Sequence, residues 1–421
     1  MRILVVAHSF PPDVSPRAIR WGALVDEWAA LGHDVQVVSA ADPRLAKEQR
    51  RGTVVVDRRA PDPARRLATS GAPGNGVAGA LPPARRLLRR AWRSLYWPDA
   101  QCLWYPAARR RARLRAAAIE PDVVVSVTRP FTAHLVALSA LGVCGEGTIW
   151  LADVGDPFSL GAHAAPNNRL LYGAVNRRAE ASLLRRADLI SVTTRGTRRL
   201  FEARFPGLRG RIEVIPPLLA PVAGADTSTV HAGPRDLVYA GSFYPGLRSP
   251  RYLLDVFGRM IASGVREYRL HILGDLTGME SELAVPDPVV RDHIHLHGIV
   301  SAEVARGMVA SAHALVNVGN TSTYQLPSKL VEYAATGAAI VNFAPHEHDT
   351  SRAFLAGYPA FLDLVQSRDA PGTAAARLAE FLRNPPRPTA EEVASFIAPY
   401  RAPAVAERYL TAIRRVAGGS S

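Results

Sequence analysis

Runs of near-continuous aliphatic residues, each of strand length, alternate with amphipathic helical stretches along almost the whole chain. Few folds accept that alternation. Arg2-Ile3-Leu4-Val5-Val6-Ala7 is the first such run, and Ile19, Leu24, Val25, Trp28 and Leu31 follow it at helical spacing. Gly32-His33-Asp34 closes the helix, and Val35-Gln36-Val37-Val38-Ser39 is a second strand. Strands buried on both faces read as unbroken hydrophobic segments, whereas one-sided strands alternate. The pattern therefore predicts a βαβ unit in a parallel sheet covered on both sides by helices.

The same rhythm returns with Val123 to Val127, Thr148 to Asp153, Leu189 to Thr193 and Ile212 to Pro216, with a helix from Val175 to Ala187 between them. Pro217 to Pro234 is rich in Pro, Ala, Gly and Thr, carries no periodicity and reads as an interdomain linker. A second series then runs through Leu237 to Gly241, Arg269 to Gly274, Ile294 to Gly298, Ala314 to Val318 and Ala339 to Phe343. The expected architecture is α/β, with two Rossmann-like doubly wound parallel-sheet domains facing a central cleft. Their boundaries are 1–216 and 235–398, joined by the linker 217–234. The stretch from Asp42 to Leu81, with one expected strand over Thr53 to Val56, reads as loop-rich.

At 421 residues with 48% hydrophobic content, the chain is long enough for two cores. It holds no run of 18 apolar residues, and Met1-Arg2 leads straight into the first strand, so a cytoplasmic protein is expected. Two cysteines, Cys102 and Cys144, lack metal-ligand spacing, and no metal site or cofactor is expected. The net charge of +14 is unevenly spread: ten arginines lie between Arg85 and Arg115 against the single acid Asp99. Within 84–97, Leu88, Trp92 and Leu95 sit at helical spacing beside arginines. That is the pattern of a helix lying on an anionic membrane surface, and equally of a solvated helix packed on its own domain. No nucleic-acid-binding signature accompanies the charge, and nucleic acid is not an expected partner.

Only two of the 51 basic residues are lysines, Lys47 and Lys329. In so arginine-biased a chain, a compact ammonium is most readily kept where a planar guanidinium does not serve, as against a phosphate in a tight pocket. Lys329 sits in Leu326-Pro327-Ser328-Lys329-Leu330-Val331-Glu332-Tyr333, just ahead of Ala334-Ala335-Thr336-Gly337. Chance survival on a helix surface is the alternative, and Lys47, in a polar stretch with no other signal, illustrates it.

Together these residues resemble the GT-B glycosyltransferases, most closely the retaining group called family 4. The N-terminal likeness rests on the opening strand, Pro11-Pro12-Asp13, the helix through Trp28 and Gly32-His33-Asp34-Val35. The C-terminal likeness rests on Gly241-Ser242-Phe243-Tyr244, Gly274-Asp275, His297-Gly298-Ile299-Val300, and Pro327-Ser328-Lys329 with Glu332-Tyr333 and Gly337. The resemblance implies that Lys329 and the amides near Ser328 hold the diphosphate of a nucleotide sugar, that Glu332 accepts bonds from ribose hydroxyls, and that Gly298 and Ile299 meet the base. A second cation usually follows the first strand of the C-terminal domain. Here Ser242 follows Gly241, so Arg248 is the candidate, with Arg251 as a less favoured substitute. Tyr324 stands where the family often has an acid, leaving Gln325 to contact the sugar. Asp153 or Asp156 is expected at the transferred sugar or acceptor hydroxyl, either being equally suited to a turn or cap. Ser15 and Arg17 occupy the place of a glycine-rich turn. A helix over 400–417 is expected to cross back onto the first domain.

The resemblance implies a retaining transferase moving a sugar, most readily from a UDP-sugar, to a hydroxyl of a bacterial glycan or lipid-linked precursor. A small natural product is an alternative acceptor. Two further readings stay open: a non-hydrolysing sugar-nucleotide epimerase of the same architecture, and a basic membrane or nucleic-acid binding protein with an inactive fold. The arginine cluster favours a location in the cytoplasm, peripheral on the inner membrane face.

Overall fold

The computed structural model describes residues 1–64, 92, 94–161, 167–219 and 235–419. It divides into two units, Met1–Pro216 with Ala402–Ser421, and Pro217–Arg401. Most of the linker at 220–234 lies outside the described residues, as does most of the arginine-rich segment at 65–91 and 93.

The first unit is built on an eight-stranded sheet. Its strands are β1 (Arg2–Val6), β2 (Asp34–Ala40), β3 (Glu48–Arg51), β4 (Val54–Ala60), β5 (Val123–Val127), β6 (Ile149–Val154), β7 (Leu189–Val192) and β8 (Ile212–Val214). They lie in the order β3-β4-β2-β1-β5-β6-β7-β8. Every pairing is parallel except β3 with β4. All five residues of β5 and all six of β6 are buried, as unbroken aliphatic runs require. The helices are α1 (Pro16–Ala30), α2 (Tyr105–Ile119), α3 (Thr132–Leu141), α4 (Arg169–Leu184) and α5 (Arg195–Arg204).

The C-terminal helix Ala402–Gly418 returns to this unit and packs on α1. Its stripe of Val405, Ala406, Tyr409, Leu410, Ala412 and Ile413 is buried. Tyr409 meets Trp21 and Trp28 with ring centroids 5.5 and 6.1 Å apart. Beside them Arg20 is buried, donating to the Pro216 carbonyl (2.7 Å) and the Tyr409 hydroxyl (3.1 Å). A buried guanidinium is tolerable only when bonded in this way.

Much of the described arginine is used internally. Asp57 on β4 receives Arg59 (3.0 Å), Arg111 (2.6 Å) and Arg115 (3.0 Å), while Glu48 on β3 also pairs with Arg59 and Arg115. Burial alone raises the Asp57 pKa, but the bonds from Arg59 and Arg111 outweigh it and hold the carboxyl at about 2. Arg109 and Arg113 bond Ser139. The expectation that this cluster marks an anionic partner is corrected to that extent: these side chains brace α2 against β3, β4 and α3. Of the 84–97 helix only the end is described, and there Trp97 Nε1 donates to Asn176 (3.0 Å) and Tyr172 to the Leu95 carbonyl (2.9 Å), tying the segment to α4.

The second unit carries six strands: β9 (Arg235–Ala240), β10 (Tyr268–Leu273), β11 (Ile294–Gly298), β12 (Ala314–Val318), β13 (Ala339–Ala344) and β14 (Phe361–Val365). Their order is β11-β10-β9-β12-β13-β14, all parallel. Helices α6 (Arg251–Ala262), α7 (Ala302–Ser311), α8 (Lys329–Ala335) and α9 (Pro371–Arg383) flank the sheet. The core runs from Leu237 and Tyr239 on β9 through Phe257 and Met260 on α6 to Leu378 and Leu382 on α9.

Two strands escaped the sequence reading. β3 is Glu-Gln-Arg-Arg, exposed throughout and held by antiparallel pairing and ion pairs, so it has no apolar signature. β14 is an edge strand of which Phe361, Leu362 and Asp363 are only partly buried.

Candidate active site

In each sheet one strand has neighbours that leave it in opposite directions along the sequence. An open parallel sheet binds ligands at that reversal, beyond the carboxyl ends of its strands. In the second unit the reversal falls between β9 and β12, and the side chains gathered there are Lys329 and Arg248.

The turn after β9 is built for close approach. Gly241 and Gly274 have φ of 159° and 137°, and a Cβ on Gly274 would lie 2.2 Å from the Gly241 carbonyl oxygen. Lys329 opens α8 and reaches back to this turn, its Nζ 3.0 Å from where a Gly241 Cβ would stand. The ammonium lies 3.6 Å above the Tyr239 ring and 5.4 Å from that of Tyr333. It is enclosed and has no hydrogen-bond partner among the described residues. Burial, and secondarily the charge of Arg248, pushes its pKa well below 10.5.

Arg248 is carried by the same turn, which closes on itself through backbone bonds between Tyr244 and Arg248. Its Nε donates to Asn320 Oδ1 (3.0 Å) in the loop after β12, and Nη1 donates to the Ser242 carbonyl (3.2 Å). One guanidinium thus spans the two loops that define the reversal. Ser328 is exposed at the N-cap of α8, where its side chain makes no cap bond. Glu332 is exposed one turn further along. Gln325 accepts from Ser322 (3.1 Å) while its carbonyl receives Asn320 and Thr350, so it braces the loop before α8. Gly298 ends β11 at φ 66°, a conformation that favours glycine, and leaves Ile299 64% exposed.

In the first unit the reversal falls between β1 and β5, and there a pocket of about 380 Å³ opens. His8, Ser9, Thr128, Arg129, Phe131, Asp156 and Phe158 are among the residues lining it. Asp156 faces this pocket. Two residues on, Glu180 from α4 clamps the loop: its carboxylate accepts from the Phe158 and Ser159 amides (2.7 and 3.0 Å) and the Ser159 hydroxyl (2.5 Å). His8 at the end of β1 bonds Asp62 (2.9 Å) and meets Trp104 edge-on at 5.1 Å.

Asp153 behaves otherwise than expected. It is 1% exposed, and its carboxylate takes four donors: Arg17 (3.2 Å) and Trp21 (3.0 Å) on one oxygen, Ser191 (2.6 Å) and Tyr409 (2.9 Å) on the other. With every lone pair used, it holds α1 and the C-terminal helix to the sheet and has none left for a substrate. Arg17 serves the same network and lies so close to Gly155 that a Cβ there would fall 0.8 Å from its Nη2. Ser15 is the N-cap of α1, accepting from the Ala18 amide (3.4 Å). Asp153 is therefore reassigned from substrate contact to structure.

The sequence reading assigned no role to Tyr239 or His8 and named Tyr333 only within the motif around Glu332; only the fold brings Tyr239 and Tyr333 together at Lys329. Among the described residues no three His, Cys, Asp or Glu side chains gather as a metal site requires, and no described helix is long and apolar enough to cross a membrane.

Residues 19–219 match the family model described as Glycosyltransferase Family 4. No curated protein matches the sequence. The structure is similar to sucrose-phosphate synthase of Thermosynechococcus elongatus, with a TM-score of 0.64 and 13% identity over 100% of both chains. The lipopolysaccharide outer core galactosyltransferase WaaB in its apo form gives 0.57 and 14%, over 99% of both chains. Anabaena HepE, solved in complex with UDP and glucose, gives 0.50 and 14%, over 100% of this chain and 99% of that one. With a family 4 match over residues 19–219 and this fold over its whole length, the chain has the GT-B fold and its first unit is similar to the family 4 glycosyltransferases.

Proposed function

We propose that the protein is a retaining transferase that moves a sugar from a UDP-sugar to a hydroxyl of a bacterial glycan or lipid-linked precursor. One observation carries the donor side. Lys329 presents an enclosed ammonium with no hydrogen-bond acceptor, beside the guanidinium of Arg248, at the point where an open α/β sheet takes its ligand. Two cations held close, one with unmet donors, are unfavourable alone and favourable around an anion. A diphosphate leaving group develops negative charge as the glycosidic bond breaks, and fixed positive charge stabilises that change.

In this reading Lys329 and Arg248 meet the diphosphate, Ser328 adds its amide and hydroxyl, and Glu332 accepts from the ribose. Exposed Ile299 beside Gly298 packs on the base, and Gln325 lies toward the sugar. HepE, of the same fold, was solved with UDP and glucose, which supports a uridine donor. Asp156, which lines the first unit's pocket, is the residue proposed for the acceptor hydroxyl; in a retaining transfer of this kind the acceptor's proton passes to the departing phosphate on the same face of the sugar. The remaining basic surface suits an anionic acceptor or a peripheral position at the inner membrane face.

The test is thermal stability against a panel of nucleotide sugars at fixed concentration, where the tightest native-state ligand raises Tm most. A uridine series that outperforms guanosine, adenosine and thymidine sugars supports the reading. A flat response across the panel overturns it.

A further inference from the structure

Lys329 is held in place by an aromatic surface that the donor reading does not use. Tyr239 is fully buried at the end of β9, stacked on Phe243 with centroids 4.5 Å apart and planes 1° from parallel. Its hydroxyl donates to the Ser242 carbonyl (3.1 Å), which also receives Arg248. The ring is therefore fixed in its plane and at its tip, and the Lys329 ammonium rests 3.6 Å over its face. Tyr333, one turn along α8, closes the other side at 5.4 Å, itself pinned by bonds with the Ala240 amide (2.8 Å) and carbonyl (3.3 Å). Among the described residues nothing else attracts the ammonium: it has no acceptor, and the charge facing it from the β9 turn is that of Arg248.

A cation above a ring face is attracted by the ring quadrupole, most strongly when water is excluded. An anion offers the same ammonium hydrogen bonds that the ring cannot. We infer that Tyr239 is a positioning residue that parks the Lys329 ammonium over its ring in the nucleotide-free protein and releases it to the diphosphate when the donor enters. The release rests on the donor reading proposed above; the parking does not. The amine waits beside the Gly241 backbone, 3.0 Å from where a Gly241 Cβ would stand.

With only Lys47 and Lys329 in the sequence, protein labelled with ¹³C,¹⁵N-lysine gives two ε-methylene signals. In the nucleotide-free protein the Lys329 signal lies upfield of Lys47, shifted by the Tyr239 ring, and titrates at lower pH. Tyr239→Phe keeps the upfield shift and Tyr239→Leu loses it. Saturating UDP removes the upfield shift. Coincident lysine signals in the nucleotide-free wild type, or an upfield signal that persists in Tyr239→Leu, overturn the parking. UDP that binds by calorimetry yet leaves the Lys329 signal unmoved overturns the release. UDP that fails to bind at all, with the upfield signal present, overturns the donor reading and the release while the parking stands.

Discussion

Replacing Lys329 with methionine separates stability from binding. Methionine is of similar length and fills the space over Tyr239 without a charge. Withdrawing an ammonium from water costs several kcal/mol even after relaxation, and here no acceptor compensates it. The Tyr239 face at 3.6 Å offsets about 2 kcal/mol of that cost. A net penalty of about 1–3 kcal/mol remains in the wild type. For a domain of this size each kcal/mol moves Tm by about 2–4 °C, so Lys329→Met in the absence of nucleotide gains about 2–12 °C. The gain depends on pH with a definite sign. Burial lowers the folded-state pKa below 10.5, so between those values the unfolded chain binds more protons, and wild-type stability rises with pH. The advantage of methionine therefore shrinks as pH climbs toward 10.5. With UDP at 100 times its Kd the wild type gains about 2.7 kcal/mol, and the variant gains little. Turnover falls about tenfold or more, as expected when one charge on a leaving group is lost. Scanning fluorimetry at several pH values, with and without UDP, reads all of this. A methionine variant less stable than wild type without nucleotide, or one with an undiminished UDP response, refutes the reasoning.

Other sites give independent checks. Tyr409→Phe removes donors and acceptors from the buried Asp153–Arg20 network and should cost about 1–3 kcal/mol by denaturant unfolding. Gly155→Ala drives a methyl into Arg17, so its destabilisation should largely disappear in an Arg17→Ala background, a coupling that a double-mutant cycle measures. His134 is buried between Ser126 and Thr128, and burial takes its pKa from 6.5 to about 4. It therefore contributes stability above pH 6.5 that is lost as pH falls toward 4, about 3 kcal/mol in all. His134→Gln should flatten the Tm–pH curve across that window.

Most of the fold was legible because buried parallel strands must be apolar along their whole length, and β1, β5, β6 and β12 declare themselves in that way. Strands held by other forces did not: β3 depends on partners of opposite charge, and β14 is half covered. Lys329 was legible as a chemical anomaly, a lysine kept among 49 arginines. The place of its two tyrosines was not, since only the fold brings an aromatic in a strand and another in a helix to one ammonium. Asp153 shows the reverse failure. An aspartate ending a strand looks like a substrate ligand, and nothing local in the sequence reveals donors arriving from Arg17, Trp21, Ser191 and Tyr409.

The central claim, that a diphosphate satisfies the enclosed ammonium of Lys329, is tested most directly by calorimetry of UDP binding at pH 9 in two buffers of different ionisation enthalpy. Because the free site holds Lys329 at a lowered pKa, the anion should raise that pKa and draw a proton from the buffer. The account predicts proton uptake by the wild type, with weaker binding and no uptake by Lys329→Met. Equal affinity and equal proton exchange in the two proteins contradict it.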